Sequence, residues 1–410
     1  MGAPPRLWII TEPYYPEQTS TGYFLTGIAE CLAQVRDVGV ICSMRAPREL
    51  RLGLVRNETR CNVAVFRCGP GVAKPRGLLR RLIAQAWVAV AMWWRAMRVV
   101  RAGDELLAVT NPPFLPFLMR FTAKVRGAEF DLLVHDVYPE VLAVAGVVRS
   151  DSIGFRLLDA MTRRLYRSCR RIIVLSRDMR GVVAAKLGGS AVPIHVVPNW
   201  GDIEAIRPKR RGEVELLREL GLADRFVVQY SGNLGRTQGA ELLIDVAELM
   251  RSTDEDVFFL IIGSGPTKDG LEKAASAKGL DNVRFLDRQP AEAFADSINA
   301  CDLAVVMLQR GMAGLSAPSR LYNLLAAGRP LLVVAEPESQ PARVVAEESL
   351  GWVVQPGDAH GAREAILAAR RCVASREEMS ARARSLAVDE YSYGSVCRRY
   401  TELYGAGRCR

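Results

Sequence analysis

The sequence predicts an α/β protein of two Rossmann-like domains facing each other across a cleft. Three observations carry that reading: short apolar runs alternate with helical patterns, the runs fall into two series, and a Pro-, Gly- and charge-rich stretch separates the series. In the first series the strand candidates are LWII (7–10), VGVIC (38–42), VAVF (63–66), ELLAV (105–109), DLLVH (131–135), RIIVL (171–175) and IHVV (194–197). In the second they are FVVQY (226–230), VFFLII (257–262), VRFL (283–286), LAVVML (303–308), PLLVV (330–334) and WVV (352–354). Runs this apolar suit strands covered on both faces, as crossover helices leave them in a parallel sheet. The separator PNWGDIEAIRPKRRGEVE (198–215) marks a linker, which places the boundary between 1–198 and 199–387.

With 410 residues, 49% apolar and 24% charged, the chain has globular composition and enough length for two cores, which excludes a disordered chain. Nine cysteines show no paired short spacing and three histidines add no metal-ligand pattern, so free thiols in a reducing compartment are expected. The start MGAPPRLWIITEPYYP enters a strand pattern almost at once and carries no signal-peptide pattern. The net charge of +10 suits an anionic partner: a nucleotide, a nucleic acid or a membrane surface. Residues 74–101, KPRGLLRRLIAQAWVAVAMWWRAMRVVR, set Arg76, Arg80 and Arg81 on one flank and Arg95, Arg98 and Arg101 on the other, around Trp87, Trp93 and Trp94. The apolar core Leu82 to Trp94 is shorter than the roughly 20 residues that cross a bilayer. A helix lying among anionic headgroups fits the Trp and Arg content, and a core helix with its Trp side chains under the sheet is the alternative.

Ligands of open parallel sheets sit at the carboxyl ends of the strands, and that rule sorts the polar motifs. The string DED (254–256) resembles a metal-binding D-x-D, but it precedes VFFLII at the wrong edge and reads as a solvated turn. The loops that follow strands are TEPYYPEQTSTG with Thr21 and Gly22, SGNLGRTQG with Gly232, Asn233 and Arg236, GSGPTKDG with Gly263, Ser264 and Gly265, and QRGMAGLSAPSR. In the last of these, Pro318 suits the first helical position, with Ser316 or Ala317 as the cap and Ser319 and Arg320 in the first turn. Free amides, the helix dipole and Arg320 then converge on a volume suited to phosphate, and a diphosphate fits between Arg320 and Arg236. A capped helix with a surface Arg is the plainer reading.

Taken in order, these stretches are identified with a known family. YYPEQTSTGYFLTGIAECLA (14–33), VTNPPFLPFLMRFTAKVRGAEFDLLVHDVYPEVLAVAGVV (109–148), RIIVLSRDMRGVV (171–183), IHVVPNWGDIEAIRP (194–208), YSGNLGRTQG, IIGSGP, APSRLYNLLAAGRPLL and GWVVQPGD resemble the GT-B glycosyltransferases of retaining family 4, in the bacterial branch that builds O-antigen, capsule and exopolysaccharide. The resemblance implies an acceptor-binding first domain, completed by a C-terminal helix at 388–410, and a nucleotide-sugar-binding second domain. It also implies a cytoplasmic enzyme, peripheral on the inner face of the cell membrane, that needs no metal and no cofactor beyond its co-substrate, a UDP-sugar in preference. The implied acceptor is a glycan presented by a lipid, a polyprenyl diphosphate in preference, with residues 74–101 on the anionic membrane surface and no nucleic acid involved.

Two departures qualify the match. Family members with G-R-L-x-x-x-K-G place Arg and Lys on the donor diphosphate where this chain has Asn233 and Gln238, and the E-x7-E pair falls on Leu315 and Asn323. The resemblance therefore implies that the positive charge has moved to Arg236 and Arg320, and that the Asn323 amide holds the nucleotide ribose in place of a carboxylate. Transfer with retention follows, with Arg236, Arg320, the amides around Gly22 and the helix end at Ser319 stabilising charge on the leaving diphosphate. Ser316 belongs to the same cradle. His135 and Asp136, where DLLVH ends, face the cleft and are candidates for contact with the donor sugar, a structural His being the alternative. An epimerase of the same fold, a transferase acting on a soluble acceptor and a nucleic-acid-binding protein are the other classes. The last is disfavoured because basic and aromatic residues interleave only in 74–101.

Overall fold

The computed structural model describes residues 5–17, 19–44, 54–69, 78–251, 254 and 256–405. The first half runs β1 (Leu7–Ile10), α1 (Ser20–Leu32), β2 (Val38–Ser43), β3 (Asn57–Arg60), β4 (Val63–Cys68), α2 (Leu78–Val99), β5 (Glu105–Val109), α3 (Leu115–Arg126), β6 (Glu129–Val134), α4 (Glu140–Val144), α5 (Ile153–Arg167), β7 (Arg171–Val174), α6 (Arg177–Leu187) and β8 (Ile194–Val196). The second half runs α7 (Glu215–Glu219), β9 (Phe226–Ser231), α8 (Glu241–Met250), β10 (Val257–Ile262), α9 (Lys268–Ala277), β11 (Val283–Leu286), α10 (Ala291–Asn299), β12 (Leu303–Met307), α11 (Arg320–Ala326), β13 (Leu331–Val334), α12 (Gln340–Glu347), β14 (Gly351–Val354), α13 (Ala359–Arg371), α14 (Val373–Asp389) and α15 (Tyr393–Gly405).

The strands form two sheets, ordered β3-β4-β2-β1-β5-β6-β7-β8 and β11-β10-β9-β12-β13-β14. Every pairing is parallel except β3 with β4. The apolar runs explain why: β1, β2, β10, β12 and β13 are buried along their whole length, as strands sandwiched between helices must be. β3 carries no apolar signal, its residues NETR being polar. It forms because Cys61 and Asn62, with φ of 46° and 63°, make a two-residue turn that folds it back on β4, a turn that favours Asn.

The chain's last helix returns to the first sheet. α15 packs on α1, and Tyr404 donates from its hydroxyl to Asp131 Oδ2 at 2.9 Å under β6. The same packing brings Cys31 of α1 to Cys397 of α15, with Cα atoms 6.0 Å apart in a disulfide. That corrects the expectation of free thiols for this pair: helix packing, not short spacing, joins cysteines 366 residues apart. Cys42, Cys61, Cys68, Cys169, Cys301 and Cys372 are free.

α2 is one continuous helix and satisfies both readings of its sequence. Val88, Ala89, Met92 and Ala96 are buried in the core, while Ile83, Trp87, Val90 and Trp94 are exposed. Trp93 turns inward, its ring 6.3 Å from that of Phe121 on α3. Arg95 stacks 4.4 Å from Phe66 and donates to Asn57 Oδ1, whereas Arg98 covers the exposed Trp94 ring at 4.9 Å. Lys74 and Arg76 lie outside the described residues, as do the side chains of Arg80, Arg81 and Leu82. No helix among the described residues is long and apolar enough to cross a membrane.

Candidate active site between the two sheets

Three chain segments meet where the carboxyl ends of the two sheets face each other. The first follows β6, which ends at Val134, one residue earlier than the sequence suggested. The backbone N–H groups of His135 and Asp136 both donate to Thr110 Oγ1, at 3.0 and 3.2 Å, so a hydroxyl just beyond β5 shapes the turn. The strand direction then crosses the cleft. Asp136 pairs with Ser316 in an isolated antiparallel bridge, and Val137 N–H donates to the Leu315 carbonyl at 2.8 Å.

Burial sets the charge states of this turn. His135 is buried with ring Nε2 unpartnered, and desolvation holds its pKa down to about 4, so the imidazole is neutral near pH 7. Burial pushes the Asp136 carboxyl up to about 6. A neutral imidazole with a free ring nitrogen beside an easily protonated carboxyl is unusual for a merely structural turn, because an unmade buried hydrogen bond costs about 1–3 kcal/mol.

The second segment precedes α11. Arg320 lays its guanidinium carbon 4.4 Å from the Tyr230 ring centre, at the end of β9, and its Nη1 is buried with no partner. A Cβ on Gly232 would stand 2.8 Å from Arg320 Cζ, so glycine is what leaves room for the cation against the backbone. A buried guanidinium edge without an acceptor is a seat for an anion.

The third segment is the start of α1. Thr19 caps the helix, and Ser20 Oγ lies 2.9 Å from Ser319 Oγ across the cleft. Thr21 is half-buried in the first turn. Gly22 differs from expectation: its N–H donates to Thr19 Oγ1 at 3.2 Å, so that amide is not free for a ligand. Its missing side chain serves packing instead, since a Cβ would meet the Glu17 carbonyl at 2.7 Å.

Other expectations need similar correction. α11 begins at Arg320 with Ser319 as its cap residue, so Pro318 and Ser316 lie in the preceding turn, the Leu321 N–H donating to the Pro318 carbonyl. Loop packing alone requires glycine at 263 and 265: a Cβ at either would overlap the backbone carbonyl of Gly232 or Leu234. Ser264 is exposed and accepts from Leu234 N–H. Asn323 turns to the linker, its Oδ1 accepting from Asp202 N–H at 3.4 Å, because α11 runs directly beneath that segment. Asn233 and Arg236 are exposed, and Arg236 makes no ion pair with any described residue. Only Arg320 of the two arginines is therefore built into the site. Asp254 and Asp256 stand at the turn before β10, away from the cleft, and pair with Arg363 and Arg370 of α13 at 3.1 and 2.7 Å. Glu255 lies outside the described residues.

Four residues at the site escaped sequence reasoning. Tyr230 and Thr110 stand at strand ends, which was a usable signal. Ser20 and Asp178 carried none. Asp178, at the start of α6, accepts through one oxygen from Gly314 N–H at 3.0 Å and Gln340 N–H at 2.8 Å, pinning the loop before α11 from the opposite domain.

Comparison with known proteins supplies the family and the fold class. The family model for glycosyl transferases group 1 matches residues 215–386. WbjE of Pseudomonas aeruginosa, described as a glycosyltransferase, is 30% identical over 86% of this chain and 86% of its own. WcaI of Escherichia coli (strain K12), described as a colanic acid biosynthesis glycosyl transferase, is 29% identical over 89% of this chain and 93% of its own. Among solved structures, sucrose-phosphate synthase of Thermosynechococcus elongatus superposes with a TM-score of 0.77 at 16% identity, covering 98% of each chain. Anabaena HepE, solved with UDP and glucose, gives 0.73 at 17% identity, covering 98% of this chain and 99% of its own. The fold is GT-B, with two Rossmann-like domains.

Proposed function

Because the chain belongs to the group 1 glycosyl transferases, we propose that it moves a sugar from a nucleotide-diphosphate sugar, a UDP-sugar in preference, to a hydroxyl of a glycan carried on a polyprenyl diphosphate at the cytoplasmic face of the cell membrane. The observation that carries the reading is Arg320, whose buried, unpartnered Nη1 over Tyr230 and Gly232 awaits an anion in the domain that the family model matches. Residues 199–387 then bind the donor, and residues 1–198 with the C-terminal helix 388–410 bind the acceptor. The bacterial polysaccharide relatives, and the UDP held by HepE, support the donor class.

In this account the acceptor oxygen bonds to the anomeric carbon on the face from which the diphosphate leaves, with retention of configuration. The bond from that carbon to the diphosphate oxygen breaks, and the departing oxygen takes up the acceptor proton. Arg320, with Arg236 swinging in from the exposed loop, stabilises the charge that develops on the diphosphate. The neutral His135 ring donates to or accepts from a sugar hydroxyl, and ionised Asp136 stabilises positive charge growing at the anomeric carbon. No metal is assigned to the step, since arginine supplies the charge and the D-x-D carboxylates are engaged by Arg363 and Arg370. A membrane-presented acceptor is supported by the outward Trp87 and Trp94 on α2 beside Arg98.

A screen of nucleotide sugars for slow hydrolysis and for protection against thermal unfolding tests the donor class. Protection by one nucleoside-diphosphate sugar, and not by its free sugar, is expected. Conversion of a UDP-sugar to its epimer without any acceptor would instead identify an epimerase.

A further inference from the structure

α5 turns an apolar stripe away from the sheet it covers. Its sequence IGFRLLDAMTRRLYR sets Ile153, Leu157 and Met161 four residues apart, on one side of the helix. That side faces out: Ile153 is 84% exposed, Leu157 61% and Met161 43%. Thr162, Leu165 and Tyr166 alone form its buried face. A helix that served only to cover the sheet would point its apolar stripe inward.

The charges around the stripe say what covers it. Arg156 and Arg164 are exposed and make no ion pair with any described residue. Asp159, the acidic residue of α5, is tied inward to Lys186 and Arg163. Neighbouring helices expose apolar residues as well. α3 packs against both α2 and α5 and exposes Phe121 and Val125, so three adjoining helices each carry exposed apolar side chains. A second copy of the chain paired on this face would cover Arg156 and Arg164 of each protomer while Asp159 is already engaged by Lys186 and Arg163. An anionic bilayer surface takes both features, receiving the apolar stripe below the headgroups and the guanidinium groups among them.

We propose that α5 is a second membrane anchor, inserting Ile153, Leu157 and Met161 into the interfacial layer of an anionic bilayer beside α2. The proposal rests on the reading of a membrane-presented acceptor. α4 and α5 follow directly on the turn that carries His135 and Asp136, so the anchor fixes the height of those residues above the lipid surface.

The test is co-sedimentation with vesicles of phosphatidylcholine alone and of phosphatidylcholine mixed with phosphatidylglycerol. Leu157→Glu with Met161→Glu alters only exposed positions and should weaken binding to the mixed vesicles at least ~10-fold. Arg156→Ala with Arg164→Ala should remove most of the preference for the anionic lipid, with hydrolysis of the nucleotide sugar unchanged in both variants. If the double glutamate variant binds as well as wild type while Trp87→Ala with Trp94→Ala does not, α5 is no anchor and the membrane reading survives through α2 alone. If wild type ignores both vesicles, both ideas fall. A concentration-dependent dimer abolished by Leu157→Glu would assign the stripe to a second copy instead.

Discussion

The two domains share an architecture and differ in what they leave unsatisfied. Among the described residues, the first domain exposes fourteen large apolar side chains, from Tyr15 to Met161, and residues 199–387 expose one, Val373. In the second domain, Arg320 lies over the Tyr230 ring at the end of β9 with its Nη1 buried and unpartnered. Apolar exposure on that scale marks a surface meant to be covered, and a buried guanidinium nitrogen without an acceptor marks a seat for an anion. On the proposed function, the donor side is built inward and the acceptor side outward, on one repeated fold. Fold alone assigns neither role.

The largest expected effect lies on the inward side. Arg320→Ala should lower turnover at least ~100-fold with the fold intact, as expected for one charged stabiliser of a transition state. Steady-state kinetics alongside a thermal melt would show it, and turnover near wild type would remove Arg320 from the diphosphate. Gly232→Ala should act in the same direction more weakly, because the new Cβ pushes the guanidinium off its seat.

A pH profile sharpens the contrast within the cleft. If transfer needs ionised Asp136 and neutral His135, kcat/KM falls as pH drops through about 6, where Asp136 takes its proton, while His135 stays neutral down to about 4. Asp136→Asn should flatten that limb. The sign for stability is opposite: a carboxyl whose folded pKa is raised above its usual value of 3.8 binds protons more readily in the folded state, so its burial lowers stability as pH rises from there through about 6. Asp136→Asn should therefore melt higher than wild type above pH 6 and no higher near pH 4.

On the outward side, Trp87→Ala with Trp94→Ala should reduce vesicle binding roughly 10-fold and leave nucleotide protection untouched. The smallest effect belongs to Gln238→Lys. The change restores the family's usual cation, but Gln238 Oε1 accepts from Gly235 N–H at 3.0 Å and its amide donates to Thr237 Oγ1. Lysine cannot accept, so a loss of about 1 kcal/mol is expected in denaturant unfolding. Tighter nucleotide binding without that loss would show that the loop rearranges around the donor.

Much of this was legible in the sequence. Apolar runs marked the buried parallel strands because both faces of such strands are covered, and the rule about carboxyl ends picked the loops at the cleft. Backbone detail was not legible. Nothing in TSTG says that Thr19 engages the Gly22 amide, or in GSGP that the glycines exist for loop-on-loop contact, since both depend on where a distant segment passes. Arg236 and Arg320 looked equivalent as loop cations; only the stack on Tyr230 separates them, and that contact joins residues ninety positions apart. The outward stripe of α5 was visible as periodicity, but periodicity does not say which side of a helix meets the sheet.

The central claim is that Arg320 holds the diphosphate of a nucleotide sugar, and calorimetric titration of UDP and of uridine into wild type and Arg320→Ala tests it most directly. The account predicts that wild type binds UDP much more tightly than uridine and that Arg320→Ala loses most of that difference, at least ~10-fold, while its affinity for uridine is unchanged. Equal UDP affinity in the two proteins would contradict it.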